Sequence, residues 1–191
     1  MNDVDWEGAE LGAVEHEGVT FVRADLTDAT TRGARFHDCT FSGCRFSSSE
    51  HTDSAFTSCT FSACRLFDAR FIRCKLLCSR FDRCTFDQLV VDGGDWSFTG
   101  LSGADLRMAA LREVKLVEAD LGDAALAGAT LIRVDITSAS LHRADLTKTD
   151  LRGSTLPDLD PTATRMRGAI IDAQQAIVIA AGFGLDVRFD G

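Results

Sequence analysis

Large apolar residues recur at every fifth position of this chain from Trp6 onward, and the register runs for about 150 residues without an insertion. Of the 31 positions from 6 to 156 in steps of five, 28 are Leu, Phe, Trp, Val or Ile; only His16, Thr31 and His51 break the run. Two residues before each of these central positions lies a second column of mostly small residues, such as Ala24, Ala29, Cys39, Cys44, Ser54, Cys59, Ala104 and Ala119. All 46 charged residues from Asp3 to Asp172 fall in the remaining three columns. Burying an unpaired charge costs several kcal/mol, so the pattern marks two inward and three outward positions per repeat.

A period of five fits neither the 3.6 of a helix nor the 2 of an ordinary strand, and it points to a repeat architecture. If five residues form one side of a square coil, a turn takes about 20 residues, and parallel backbone pairing stacks successive turns about 4.8 Å apart. The predicted fold is an all-β solenoid of about eight coils, roughly 40 Å long by that rise. The centre changes from Phe (Phe21 to Phe86) to Leu (Leu101 to Leu156), with the pair Gly93-Gly94 near the change as a candidate bend.

The repeats Ala24-Asp25-Leu26, Ala104-Asp105-Leu106, Ala119-Asp120-Leu121 and Ala144-Asp145-Leu146 resemble the A(D/N)LXX pattern of the pentapeptide-repeat proteins. The resemblance covers roughly residues 4 to 171. It implies a right-handed quadrilateral parallel β-helix. The unbroken register, the Phe/Cys-rich first half around Cys39-Thr40-Phe41 and Cys59-Thr60-Phe61, and the tail from Gly168 to Leu185 look like the mycobacterial fluoroquinolone-resistance subgroup.

Past Met166 the pattern changes. Asp172 is placed to cap a short C-terminal α-helix over Ala173 to Ala181, stopped by Gly182. The chain thus divides into a β-helix over 1–171 and an end-capping and dimerising segment over 172–191. The helix is apolar nearly all round and needs cover on more than one side. Leu185, Val187 and Phe189 alternate as a strand would. Two arrangements meet that need: a homodimer through Ile177, Val178, Ala181, Phe183, Leu185, Val187 and Phe189, which the resemblance also implies, or a monomer whose helix only caps the last coil.

Six of the seven cysteines (Cys39, Cys44, Cys59, Cys64, Cys74, Cys84) stand in the small inward column, and only Cys78 points outward. They do not converge as the ligands of a zinc site would, so reduced core filler is expected and no metal or cofactor. Thr31 and His51, one turn of the coil apart, should stack on one wall beside Ser47 to Ser54. They form either a local bulge or a hydrogen-bonded polar patch in a dry core, the patch being favoured. A solenoid wall turns its outward side chains apart, so no catalytic residue is expected and no small-molecule substrate.

The net charge of −9 is uneven: residues 1–31 hold eight acids and one base, 32–86 five acids and nine bases, and 87–191 sixteen acids and ten bases. C-terminal dimerisation would bring two acidic halves together, with Asp105, Glu118, Asp120, Asp123, Asp135, Asp145 and Asp150 as the candidate acidic surface. The basic belt of Arg65, Arg70, Arg73, Lys75, Arg80 and Arg83 would lie farther out, as a docking face or a solvated one. Such a dimer would carry about two-fifths of the charge of a DNA duplex roughly 80 Å long, by one phosphate per ~1.7 Å. It would repel nucleic acid but could be steered to a DNA-binding surface. The resemblance implies DNA gyrase as the partner, inhibited by or protected from fluoroquinolones or another poison by a DNA-mimicking rod. A scaffold for a different protein partner is the alternative, and acids scattered over all four faces would favour it. With no signal peptide or membrane-spanning stretch in view, a cytoplasmic protein with no membrane partner is expected.

Overall fold

The computed structural model describes residues 1–158 and 160–188. The chain winds as a parallel β-solenoid in which each residue pairs with the one 20 positions on. Four walls result, named here by their central residues. Wall II (Leu11, Thr31, His51, Phe71, Val91, Leu111, Leu131) forms a seven-stranded sheet from Glu10–Leu11 to Thr130–Ile132. That sheet spans six turns, and bridges Thr130↔Asp150 and Asp150↔Ile170 continue the same step. Wall III contributes three strands, Glu15–Glu17, Arg35–His37 and Ala55–Thr57; wall IV contributes four, Thr20–Val22, Thr40–Ser42, Thr60–Ser62 and Arg80–Asp82. Wall I (Leu26, Phe46, Leu66) is joined by single bridges, among them Asp25↔Arg45 and Arg45↔Arg65.

Both inward columns are buried. Phe21, Phe36, Phe41, Phe56, Phe61 and Phe71 are fully enclosed, as are Leu116, Leu126, Leu131 and Leu146 in the second half. Stacked rings run along two walls, with Phe21–Phe41 and Phe41–Phe61 centroids 5.0 Å apart, Phe61–Phe81 4.6 Å and Phe36–Phe56 4.8 Å. These spacings follow the rise between parallel strands, so the backbone repeat itself sets the stacking distance.

Walls take one of two shapes. In the extended shape the central residue lies in a three-residue strand; in the tight shape its carbonyl accepts from the amide three residues on, as in Ala29 N–H to Leu26 O and Ala119 N–H to Leu116 O. The residue after the centre's turn sorts with the shape. All six inward cysteines and Val14, Val19, Val114 and Val134 follow extended walls, whereas Ala, Ser or Thr follows most tight ones. A tight turn draws that residue's Cβ in close, where a methyl or hydroxyl fits, while β-branched valine prefers extended backbone.

Gly93 and Gly94 keep the register from coil to coil. Gly94 (φ +95°) needs to be glycine, since a Cβ there would lie 2.1 Å from the Cys74 carbonyl oxygen. The C-terminal helix runs Ala173–Gly182 and opens on a capping box: Asp172 accepts from the Gln175 amide, and the Gln175 side chain accepts from the Asp172 amide. Gln175 also reaches into the last coil, its Nε2 donating to the Leu151 and Ser154 carbonyls. The open end of the solenoid is thereby partly satisfied by one buried side chain. Residues 185–188 form no strand, contrary to the alternation expected from Leu185 and Val187; no neighbouring strand edge pairs with them.

Candidate functional site

The seven candidate acids lie on all four walls: Asp105 and Asp145 on wall I, Asp150 on wall II, Glu118 and Asp135 on wall III, and Asp120 and Asp123 on wall IV. Five of them serve their own turn. Asp105, Asp120, Asp135, Asp145 and Asp150 each accept from the backbone amide two residues on. This bond explains the aspartate of the repeat, since its short side chain satisfies an amide at the corner that no strand partner reaches. The same contact recurs at Asp5, Asp25, Asp95 and Asp160.

Four of the seven pair with arginine: Asp105 with Arg107, Asp123 with Arg143, Asp145 with Arg165 and Asp150 with Arg152. Hydrogen bonds from these arginines hold the carboxyls of Asp105, Asp123 and Asp150 below their ordinary range; for Asp145 the Thr147 hydroxyl is the main cause. Among the described residues Glu118, Asp120 and Asp135 form no ion pair. Glu118 and Asp120 stand at the corner between walls III and IV, and Asp158 and Asp160 fall at the same corner by count two coils on, where the chain leaves the regular pairing and lies beside Ser140 and His142. No Lys or Arg stands at the outward positions of that corner from 97 to 160. The search by sequence named the first two of these acids and missed the second pair, although their offset of two whole coils was readable.

Charge elsewhere follows a rule across coils. An acid on one coil meets an arginine at the equivalent position of the next in Asp3–Arg23, Glu15–Arg35, Asp25–Arg45, Asp53–Arg73, Glu113–Arg133, Asp123–Arg143 and Asp145–Arg165. Within the basic belt, Arg73 is thus neutralised by Asp53, and Arg70 and Arg83 by Asp68 and Asp82.

Thr31 and His51 stack within wall II and are enclosed. Ser49 Oγ donates to the Phe46 carbonyl, so its oxygen accepts from His51 Nε2–H at 3.0 Å. His51 Nδ1 is then left to accept from the Thr31 hydroxyl at 2.9 Å, and Ser54 Oγ lies 3.0 Å from Thr31. The ring is sandwiched by aromatics, stacked on Phe71 with Phe46 and Phe56 edge-on. Burial pushes its pKa down to about 3, so the imidazole is neutral. This is the hydrogen-bonded patch favoured from the sequence, and its enclosure keeps the ring from any substrate.

The six inward thiols are free, and each donates to the carbonyl 23 positions earlier, as in Cys64 Sγ to Phe41 O at 3.3 Å and Cys74 Sγ to His51 O at 3.1 Å. Burial raises Cys59 to about 12 and Cys74 to about 11, which keeps them protonated as these bonds require. Cys78 is the exposed one. Among the described residues, no three His, Cys, Asp or Glu side chains gather as a metal site would need.

At the C-terminal end Val178 and Ile179 pack on the core, Ile177 is half-buried, and Ala181 is exposed. Phe183, Leu185 and Val187 are 59, 63 and 40% exposed. Phe189 lies outside the described residues. The end of the rod therefore presents an apolar surface continuous with the helix. No helix among the described residues is long and apolar enough to cross a membrane.

A four-walled parallel solenoid with inward large and small columns defines a class, and comparison agrees with it. The model of the family described as pentapeptide repeats matches in 8 copies over residues 17–50 and 115–153. The fold is similar to that of HetL, a pentapeptide-repeat protein involved in heterocyst differentiation regulation from the cyanobacterium Nostoc sp. strain PCC 7120. There the TM-score is 0.68 at 19% identity, covering 89% of this chain and 88% of that one. It is also similar to QnrB1, a plasmid-mediated fluoroquinolone resistance protein. A trypsin-treated form gives a TM-score of 0.60 at 24% identity over 98% of this chain and 99% of that one. The full-length form gives 0.58 at 22% over 97% and 99%. No curated protein matches the sequence. The chain is a four-walled parallel β-solenoid similar in fold to these pentapeptide-repeat proteins.

Proposed function

We propose that this protein is a cytoplasmic, non-enzymatic homodimer that binds DNA gyrase as a DNA mimic and protects it from fluoroquinolones or another gyrase poison. The observation that carries this reading is the end-to-end likeness to QnrB1, a fluoroquinolone resistance protein, over a rod of the same length. Physical support comes from the surface. The outward columns are polar and rigidly spaced by the backbone repeat, and the acids at the wall III–IV corner, Glu118, Asp120, Asp158 and Asp160, have no Lys or Arg beside them on that corner. With Asp135 they form the stretch best suited to a cationic DNA-binding groove. Asp105, Asp123, Asp145 and Asp150 contribute less, because an arginine already screens each. The apolar end formed by Ile177, Val178, Ala181, Phe183, Leu185 and Val187, with Phe189, joins two rods and lengthens the mimic.

Gyrase supercoiling titrated with the protein, with and without a fluoroquinolone, tests this. Inhibition or drug rescue should appear at near-stoichiometric dimer and be lost on Glu118→Lys with Asp120→Lys, while Asp105→Lys with Asp145→Lys has the smaller effect. A second reading, a scaffold for a different protein, is favoured by the spread of the seven acids over four walls. It gains if gyrase is indifferent to a large excess of the protein.

A further inference from the structure

We infer that the corner between walls IV and I carries an oxyanion site, formed by Arg23, Arg45 and Arg65, that takes a phosphate group. These three arginines line one recess of about 360 Å3, and the only other residues lining it are Gly43 and Ala63. In a chain of net charge −9, a recess lined by three arginines and no acidic residue stands out. Gly43 and Ala63 supply a floor without side-chain bulk, and Gly43 lies directly over the Arg23 stem.

Two of the three arginines are held in place from behind. Arg23 gives Nε and Nη2 to Asp3, and Arg45 gives Nε and Nη2 to Asp25. Each keeps its Nη1 hydrogens for a further acceptor, in a geometry the ion pair has already fixed. Arg65 has no such acid behind it. Its neighbour on the preceding coil is Arg45, and its neighbour on the following coil is Thr85. Among the described residues Arg65 makes no ion pair, so all five of its N–H groups remain. Arg65 therefore adds one unbalanced positive charge beside the two paired arginines, and an anion there would offset it. Donors from more than one arginine match a tetrahedral oxyanion better than a planar carboxylate, which one guanidinium can satisfy alone. Such a site is independent of the gyrase reading, since it lies on the half of the rod away from the acidic corner.

Isothermal titration with inorganic phosphate, at ionic strength held constant with sodium chloride, tests the inference on the full chain. Saturable binding with half-saturation near or below about 1 mM is expected, with chloride and acetate giving no response. Arg65→Gln should weaken it about tenfold or more, and Arg167→Gln, far along the rod, should leave it unchanged. All these side chains are outward, and unaltered thermal melting without phosphate would show that the variants fold. A parallel titration with adenosine monophosphate separates a free anion from an ester: equal or tighter binding assigns a phosphate ester, and binding of inorganic phosphate alone assigns the free ion. Phosphate indistinguishable from chloride, or binding that survives Arg65→Gln, would overturn the site.

Discussion

The first half of the rod and the second bury the same columns by different means. From Phe21 to Phe86 the interior is built from phenylalanine ladders with cysteines between them, and most walls are extended strands. From Leu101 onward leucine and alanine fill it; tight turns dominate, and strands persist only on wall II. Most centres of the first half are rings, and extended backbone and cysteine go with them. Leucine in the second half goes with tight turns and alanine. The five-residue period is thus compatible with two wall shapes, and the small column selects between them as much as the large one does.

The sharpest way to break this comparison is to truncate one central residue in each half on the same wall. Phe41, stacked between Phe21 and Phe61, should cost about 4 kcal/mol on Phe41→Ala, and Leu121→Ala about 3 kcal/mol. The excess reflects ring–ring contact at about 1 kcal/mol beyond burial. Equal shifts in denaturant midpoint would show that the ladder adds nothing to filling volume.

The next largest effect is confined to the first half and depends on pH. His51 is neutral in the fold, with its pKa down at about 3, and protonates near its ordinary value once unfolded. A base depressed in this way contributes stability above the unfolded pKa, and that contribution is lost as pH falls toward 3. The groups facing the ring are the Thr31 and Ser49 hydroxyls and the rings of Phe46, Phe56 and Phe71, with no charge among them to offset a proton. Between pH 7 and pH 5, a window above the carboxylates, the loss should be about 2 kcal/mol. His51→Phe should flatten that slope. A slope unchanged in the variant would place the sensitivity elsewhere.

Exchanging the small column is a smaller perturbation. Cys64→Ala removes the thiol bond to the Phe41 carbonyl and leaves a void beside the ladder, for a loss of about 1–2 kcal/mol. Ala124→Cys on the same wall of the second half should cost a similar amount through overpacking of a tight turn. If either half accepted the other's residue without loss, the small column would not select wall shape.

How far the sequence carried depended on which term dominated. Excluding every charge from two columns is worth several kcal/mol per residue, so the fold and its core were legible from spacing alone. The polar patch was legible too, because Thr31 and His51 could be placed one above the other by counting one full coil. Wall shape was not, because it rests on a difference of a methyl or a thiol at positions such as Cys64 and Ala124. The Gln175 contact with the Leu151 and Ser154 carbonyls was hidden for another reason: an end-capping side chain belongs to no period. The partners of the acids were not read. Asp105 and Asp145 resemble free surface charge in a one-dimensional string, whereas each binds its own turn and an arginine, and the one-coil offset from Asp145 to Arg165 was there to be counted.

The smallest expected difference between the halves lies in their cross-coil ion pairs. Arg133 and Glu113 in the second half are 60 and 57% exposed at the side chain, so Arg133→Gln should cost about 0.5 kcal/mol and nothing measurable in about 1 M salt. Arg45 meets an acid, Asp25, that is only 12% exposed and is also held by the Thr27 amide and hydroxyl. The Arg45 hydrogen bond is the main cause of the Asp25 pKa falling to about 2. A depressed carboxyl contributes stability above its unfolded pKa and loses it as pH drops through the folded one, so this pair should hold down to about pH 2. Arg45→Gln should therefore cost more than Arg133→Gln and respond less to salt, because removing the guanidinium leaves a covered carboxylate with only its turn to satisfy it. Identical costs and identical salt dependence in urea melts would mean that the cover over Asp25 has no energetic consequence, and that cross-coil pairs are interchangeable along the rod.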